Sequence, residues 1–159
     1  MSIAEKLQTI AENEQRVYDA GKQEEIKNSA KLIGGTITEY RNESVTTVRA
    51  YAFYNCPQLR LLDLPSATTI ANGGIRTCQN LRTVILRGNQ VCPLAGTQNF
   101  LGCCHITGEV NSTFNPNGDK DGYIYVPKAL VDEYKTATNW VTYADQIRAI
   151  EDYPEITGG

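Results

Sequence analysis

Five cysteines and a single histidine hold most of the nucleophilic and soft metal-ligating capacity of this chain. Cys56 and Cys78 stand 22 residues apart, and Cys103 follows 25 residues later. Thiols ligate metals or attack substrates only where they converge as thiolates in an open, electropositive site. Residues that recur along a repeat lie on successive turns instead, where a small thiol packs as an apolar group. A buried ladder is therefore expected of these three. Cys103-Cys104-His105 places three soft ligands in a row, but neighbours on a strand point to opposite faces, so no zinc site is expected. A Cys–His hydrolase needs His105 oriented between a nucleophile and a third group, and no motif surrounds it. The chain has no phosphate-binding glycine loop, no Gly-x-Ser-x-Gly elbow and no His-Glu-x-x-His helix. The expectation is a protein that is not an enzyme, with no catalytic residue, no cofactor and no metal.

Asn117-Gly118-Asp119-Lys120-Asp121-Gly122 has the alternating oxygen ligands and turning glycine of a calcium loop. Its twelfth position is Lys128 where a bidentate Glu is wanted, and Pro127 precedes it. The competing reading is a polar turn leading into a strand. Arg49, Tyr51, Tyr54, Arg60, Arg76, Arg82 and Arg87 interleave with apolar positions, and Tyr and Arg are the residue types that anchor interfaces. They form a candidate contact face, set against the alternative of long side chains covering a solvated surface.

The elements that must carry these residues follow from spacing. Ile3, Leu7, Ile10 and Val17 make one stripe on a helix from Ser2 to about Ala20, with Ser2 and Glu5 spaced as a capping box and Gly21 as its stop. The stripe is a candidate oligomerisation seam, or a face docked on the chain's own body. Residues 1–33 are thus assigned to an N-terminal helical segment for attachment or oligomerisation.

Beyond the Gly34-Gly35 break the chain repeats itself. Val48, Phe53, Cys56, Leu59, Leu62 and Leu64 recur, 22 residues on, as Ile70, Ile75, Cys78, Leu81, Val84 and Leu86. Ile26, Ile37 and Tyr40 fall one step before, and Phe100, Cys103 and Ile106 one step after with three extra residues. A step of this size lies in the leucine-rich-repeat range, so stacked turns with matched side chains above one another are expected over 34–122. Gly73-Gly74 is assigned to tight backbone geometry.

Tyr123–Val126 reads as a last strand stopped by Pro127. Lys128 to Thr136 reads as a helix with Leu130, Val131 and Tyr134 inward, and Thr142 to Ile150 as a second with Ala144, Ile147 and Ile150 inward. Trp140 between them is the expected plug of a cap over 123–151, and 152–159 is expected to be a mobile tail. The fold class expected is α+β: a short leucine-rich-repeat solenoid with an N-terminal helix and a C-terminal strand-plus-helix cap.

A net charge of -3 offers no basic footprint for nucleic acid or for anionic membranes. No segment has the length and apolarity of a membrane span, and Met1 to Leu7 has no signal-peptide core, so the product is expected to be made in the cytoplasm without membrane insertion. An odd number of cysteines without a Cys-x-x-Cys pair fits free thiols.

The turns Ala52-Phe53-x-x-Cys56-x-x-Leu59-x-x-Leu62-x-Leu64-Pro65 and Gly74-Ile75-x-x-Cys78-x-x-Leu81-x-x-Val84-x-Leu86 resemble the BspA-like leucine-rich repeat. The second turn departs from it, with Gly74-Ile75 for the Ala-Phe pair and Arg87 for the closing proline. Gly122 to Trp140 is similar to the unit that often ends such arrays. The opening Ile3-Ala-Glu-Lys-Leu-Gln-Thr-Ile and Val17-Tyr-Asp-Ala-Gly-Lys22 resemble the start of phage and prophage proteins of gut Firmicutes. That resemblance implies a virion-associated structural or binding protein of fibre, tail or head-decoration type. Its partners would be other virion proteins or further copies of itself, and a host-surface protein or glycan. The alternative is a bacterial leucine-rich-repeat interaction module with no virion role.

Overall fold

A computed structural model describes residues 38–158. The N-terminal helix and its seam, Ile3, Leu7, Ile10 and Val17, lie outside the described residues, as do Ile26 and Ile37. The described elements begin with short strands: β1 (Glu39–Arg41), β2 (Thr47–Val48), β3 (Leu61–Asp63), β4 (Thr69–Ile70) and β5 (Thr83–Ile85). A helical turn α1 (Cys104–Thr107) precedes strand β6 (Tyr123–Val126). A 3-10 turn at Lys128–Leu130 runs into helix α2 (Val131–Thr136), and a second at Val141–Gln146 runs into strand β7 (Ile147–Ala149). The 3-10 turn Ile150–Asp152 and helix α3 (Pro154–Thr157) follow as the last described elements.

One parallel five-stranded sheet has the order β1-β3-β5-β6-β7, and β2 pairs with β4 in a second, two-stranded one. Glu39 lies beside Leu61, Leu61 beside Thr83, and Thr47 beside Thr69. Each of these registers equals the 22-residue step of the sequence. Alternation within a strand sends successive side chains to opposite faces. Tyr40, Leu62, Val84, Ile124 and Ile147 accordingly enter the main core, where they meet Phe53, Ile75, Phe100 and Trp140. Phe53, Ile75 and Phe100 are each at most 1 % exposed. Burial of such side chains contributes about 1.5–3 kcal/mol apiece. On the opposite face Leu61, Ile85, Tyr125 and Ile150 form a second cluster, covered by Tyr123, Tyr153 and Ile156.

The expected α+β leucine-rich-repeat solenoid is corrected by this architecture: the described residues form a small α/β domain built on a five-stranded parallel sheet. The physical reason is that the fixed step governs only part of the sheet. Thr83 pairs with Tyr123, 40 residues on, and Ile124 with Ile147, so two of the five strands come from the segment expected to be a cap. The Phe100 to Ile106 segment adds no strand and turns into α1.

Three local expectations are corrected with it. Thr142 to Ile150 is not one helix: its first half is a 3-10 turn, and Ile147–Ala149 extends as β7. The free edge of β6 offers Ile147 a ladder of backbone hydrogen bonds, and that pairing overrides a three-residue apolar spacing that reads as helical. Pro127 does end β6, yet β6 is not the last strand. Residues 152–158 are not a loose tail either. Thr157 is buried, its hydroxyl donates to the Ile150 carbonyl at 3.1 Å, and its carbonyl accepts from the Arg87 guanidinium.

Candidate functional site

The three repeated cysteines are buried and reduced. Each tight turn closes the same way, Leu59 N–H to Cys56 O at 3.2 Å and Leu81 N–H to Cys78 O at 3.1 Å. Two of the thiols then reach across to the preceding turn, while Cys56 Sγ turns to Tyr54 O at 3.8 Å within its own. Cys78 Sγ donates to Phe53 O at 2.9 Å and Cys103 Sγ to Ile75 O at 3.0 Å. A buried carbonyl beside a large apolar side chain has no water to satisfy it, and a thiol is a donor small enough to fit there. Hydrogen bonding with Cys103, and then burial, hold the Cys78 thiol well above its ordinary range, so it stays protonated and unreactive. Burial raises Cys104 in the same direction, with Glu109 adding to it.

His105 is buried, and both of its ring nitrogens are engaged. Nδ1 lies 2.5 Å from Asp121 Oδ1, and Nε2 lies 3.2 Å from an Arg82 guanidinium nitrogen. A guanidinium only donates, so Nε2 accepts and the ring hydrogen sits on Nδ1, donated to the carboxylate. Arg82 Nε also approaches Asp121 Oδ2 at 3.8 Å. The trio ties the start of β5, α1 and the turn before β6 together. Both ring nitrogens are thus held within the chain's own hydrogen-bond network. Cys103-Cys104-His105 is a helical turn rather than the expected strand, because Ile106 N–H and Thr107 N–H both return to Cys103 O.

Asn115, two residues ahead of the calcium-like segment, organises it from within. Its Nδ2 reaches the carbonyls of Cys104, Glu109 and Asp119 at 3.0–3.1 Å, and its Oδ1 accepts the Asp119 N–H at 3.0 Å. Asp121 turns to His105. Among the described residues no three His, Cys, Asp or Glu side chains gather as metal ligands.

The seven residues of the candidate contact face separate into three places. Tyr51 and Tyr54 follow β2, with ring centroids 5.3 Å apart at 86°. Arg76, one step beyond Tyr54, joins them through the Asn55 N–H to Arg76 O bond, and its guanidinium lies 3.4 Å from Gln98 Oε1. Thr77 N–H to Leu101 O carries the same edge onward. Tyr51, Tyr54 and Leu101 are 43 %, 42 % and 40 % exposed, far outside the core their size would suit. Arg49, exposed at the end of β2, precedes this strip. Arg60 and Arg82 stand instead at the starts of β3 and β5, where Arg82 N–H donates to Arg60 O at 3.0 Å. Arg87 lies elsewhere again, bound to Asp63 at 3.1 Å and to Thr157 O.

The strip's backbone is unusual. Tyr51, Asn55 and Thr77 have φ of 61°, 57° and 64°, the left-handed region that glycine adopts freely. One step after Tyr51 the chain places Gly73 at φ 76°, and one step after Thr77 it places Gly102 at φ 80°. A non-glycine residue there costs about 1–2 kcal/mol. Gly74 has a different constraint: a Cβ on it would stand 2.9 Å from Val48 Cγ1.

Two clusters escaped the sequence reading. Buried Asp63 binds Arg41 at 3.0 Å as well as Arg87. Arg41 and Asp63 are one step apart, so an opposite-charge pair in the self-alignment was the available signal. Arg148 lies with its guanidinium carbon 3.2 Å from the Tyr123 ring centroid and 4.6 Å from that of Tyr153. That stack depends on β7 being a strand, and no periodic signal announces it.

No protein-family model matches the chain, and no curated protein matches it.

Proposed function

We propose that this chain is a non-enzymatic, virion-associated binding protein of fibre, tail or head-decoration type, and that Tyr51, Tyr54, Arg76 and Leu101 form its contact strip for a protein or glycan. One observation carries the reading. Tyr51 holds a large, exposed aromatic ring in a left-handed backbone conformation that the next repeat fills with glycine. Strain that glycine would remove is retained where a side chain has a use. Tyrosine and arginine supply rigid, amphipathic area of the kind that dominates binding energy at interfaces. The resemblance of Ile3 to Lys22 to phage and prophage proteins supports the virion setting. In that setting the N-terminal segment attaches the chain to the particle or to further copies of itself.

Two measurements test this. Immunogold labelling of purified particles from a producing strain is expected to decorate them; particles free of the chain would leave a bacterial interaction module without a virion role. The Tyr51→Ala/Tyr54→Ala pair is expected to weaken attachment to the host surface or particle by about a thousandfold, the loss of two hot-spot side chains at about 2 kcal/mol each. Unchanged attachment by the folded double variant removes the strip from the function.

A further inference from the structure

The turns that follow β3 and β5 leave the sheet at the carboxyl ends of two adjacent strands and enclose a cleft of about 390 Å³. That volume lies within the roughly 300–1,000 Å³ of small-molecule sites. Its walls carry Ser66 and Thr68 on one side and Asn89 and Gln90 on the other, with Pro65 and Val91 supplying apolar surface. None of the described residues lining it is ionisable. The Thr68 hydroxyl is anchored by donating to Thr46 O at 2.9 Å, and the Thr68 N–H reaches the same carbonyl at 2.7 Å, so that wall is fixed. The side chains of Ser66, Asn89 and Gln90, by contrast, have no hydrogen-bond partner among the described residues.

We propose that this cleft binds a neutral saccharide. Sugar hydroxyls both donate and accept, and a hydroxyl with two amides matches both roles without any charge. The C–H face of a pyranose ring packs on proline and valine surfaces. An anionic ligand would find no cation in the lining, and a purely apolar ligand would leave the two amides and the Ser66 hydroxyl desolvated and unpaired. The cleft shares no residue with the Tyr51–Leu101 strip, so it is a second site beyond the proposed function.

The test uses the full chain and a panel of neutral gluco-, galacto-, manno- and N-acetylglucosamine oligosaccharides, followed by saturation-transfer NMR and calorimetry. Inorganic phosphate and a sulfated oligosaccharide serve as charged probes. At least one neutral member is expected to bind and both charged probes to fail. Gly88→Trp is the blocking variant, because Gly88 lines the cleft and a Cβ there meets only Gln90 O at 3.8 Å, which leaves room for a bulky side chain. It is expected to weaken binding at least about tenfold, a change calorimetry resolves readily. Should that variant misfold, the Ser66→Ala/Asn89→Ala pair is expected to give the same loss. Tyr51→Ala/Tyr54→Ala is expected to leave saccharide affinity unchanged, which separates this site from the contact strip. Failure of the whole neutral panel, equal binding of the charged probes, or wild-type affinity in a folded blocking variant would each overturn the proposal.

Discussion

Replacing Tyr134 by Phe removes one oxygen atom from the core and leaves the ring in place. In the native chain that oxygen accepts the Cys92 N–H at 2.8 Å, while Trp140 Nε1 donates to Cys92 O at 2.7 Å. The two side chains thus satisfy both backbone groups of Cys92. Tyr134, Trp140 and Cys92 are all at most 2 % exposed, so no water replaces a lost partner. An orphaned buried N–H costs about 1–3 kcal/mol, and the isosteric ring adds no large cavity term. The expected loss is about 2 kcal/mol, which for a chain of this size lowers the melting temperature by roughly 4–8 °C. Urea denaturation followed by the fluorescence of Trp140, the single tryptophan, measures it directly. The ring centroid of Tyr134 lies 5.3 Å from that of Trp140, so the probe reports on the perturbed site. Tyr143→Phe is the control: Tyr143 is also buried, but its hydroxyl has no hydrogen-bond partner among the described residues, and its loss is expected to fall within about 0.5 kcal/mol of zero. Equal stabilities of the two variants would refute the assignment of Tyr134 as the partner of the Cys92 backbone.

Leu81→Asp is expected to unfold the domain, since it places an unpaired charge at a fully buried position in the core; a melting temperature equal to wild type would remove the burial assigned to that position. Stability is also expected to fall in alkali. Burial pushes Cys92 from 9.0 to about 12 and Tyr134 from 10.0 to about 12, so above pH 9 the unfolded chain releases protons that the folded chain retains. The native state then binds more protons, and stability declines by about 1.4 kcal/mol per pH unit per group until the folded values are reached. Cys92→Ala is expected to make the urea midpoint less steep between pH 9 and pH 10, and a slope identical to wild type would contradict it.

What the sequence made legible was whatever depends on local spacing. The self-alignment anticipates the pairing of Leu61 with Glu39 and Thr83, because residues one step apart become neighbours in a parallel ladder. It also anticipates buried cysteines, although not that each thiol of Cys78 and Cys103 satisfies a carbonyl on the turn before it. Trp140 and the Tyr123–Val126 strand were readable from size, β-branching and the proline that follows. Ile147–Ala149 was not, since its spacing suits a helix and only the open edge of β6 decides otherwise. The overall class was misread for a related reason: periodicity describes the strands up to β5, and nothing periodic marks β6 and β7 as members of the same sheet. The contact residues follow from type and from their interleaving with apolar positions. Type cannot tell Arg87, committed to Asp63 and Thr157, from Tyr51, held exposed on a strained turn.

The order β1-β3-β5-β6-β7 runs along the sheet in the same direction as along the chain. During synthesis, each of β3, β5, β6 and β7 therefore emerges when the strand it will lie against has already been made. Growth is vectorial, with one open edge that advances as translation proceeds. Trp140 then packs against Phe100 and Tyr134, Tyr143 and Ile147 follow it into the same core, and the Thr157 carbonyl of α3 takes the Arg87 guanidinium. A ribosome-bound chain halted before Trp140 lacks that ring together with Tyr143, Ile147 and the whole of β7, so protease resistance is expected only once β7 has been made.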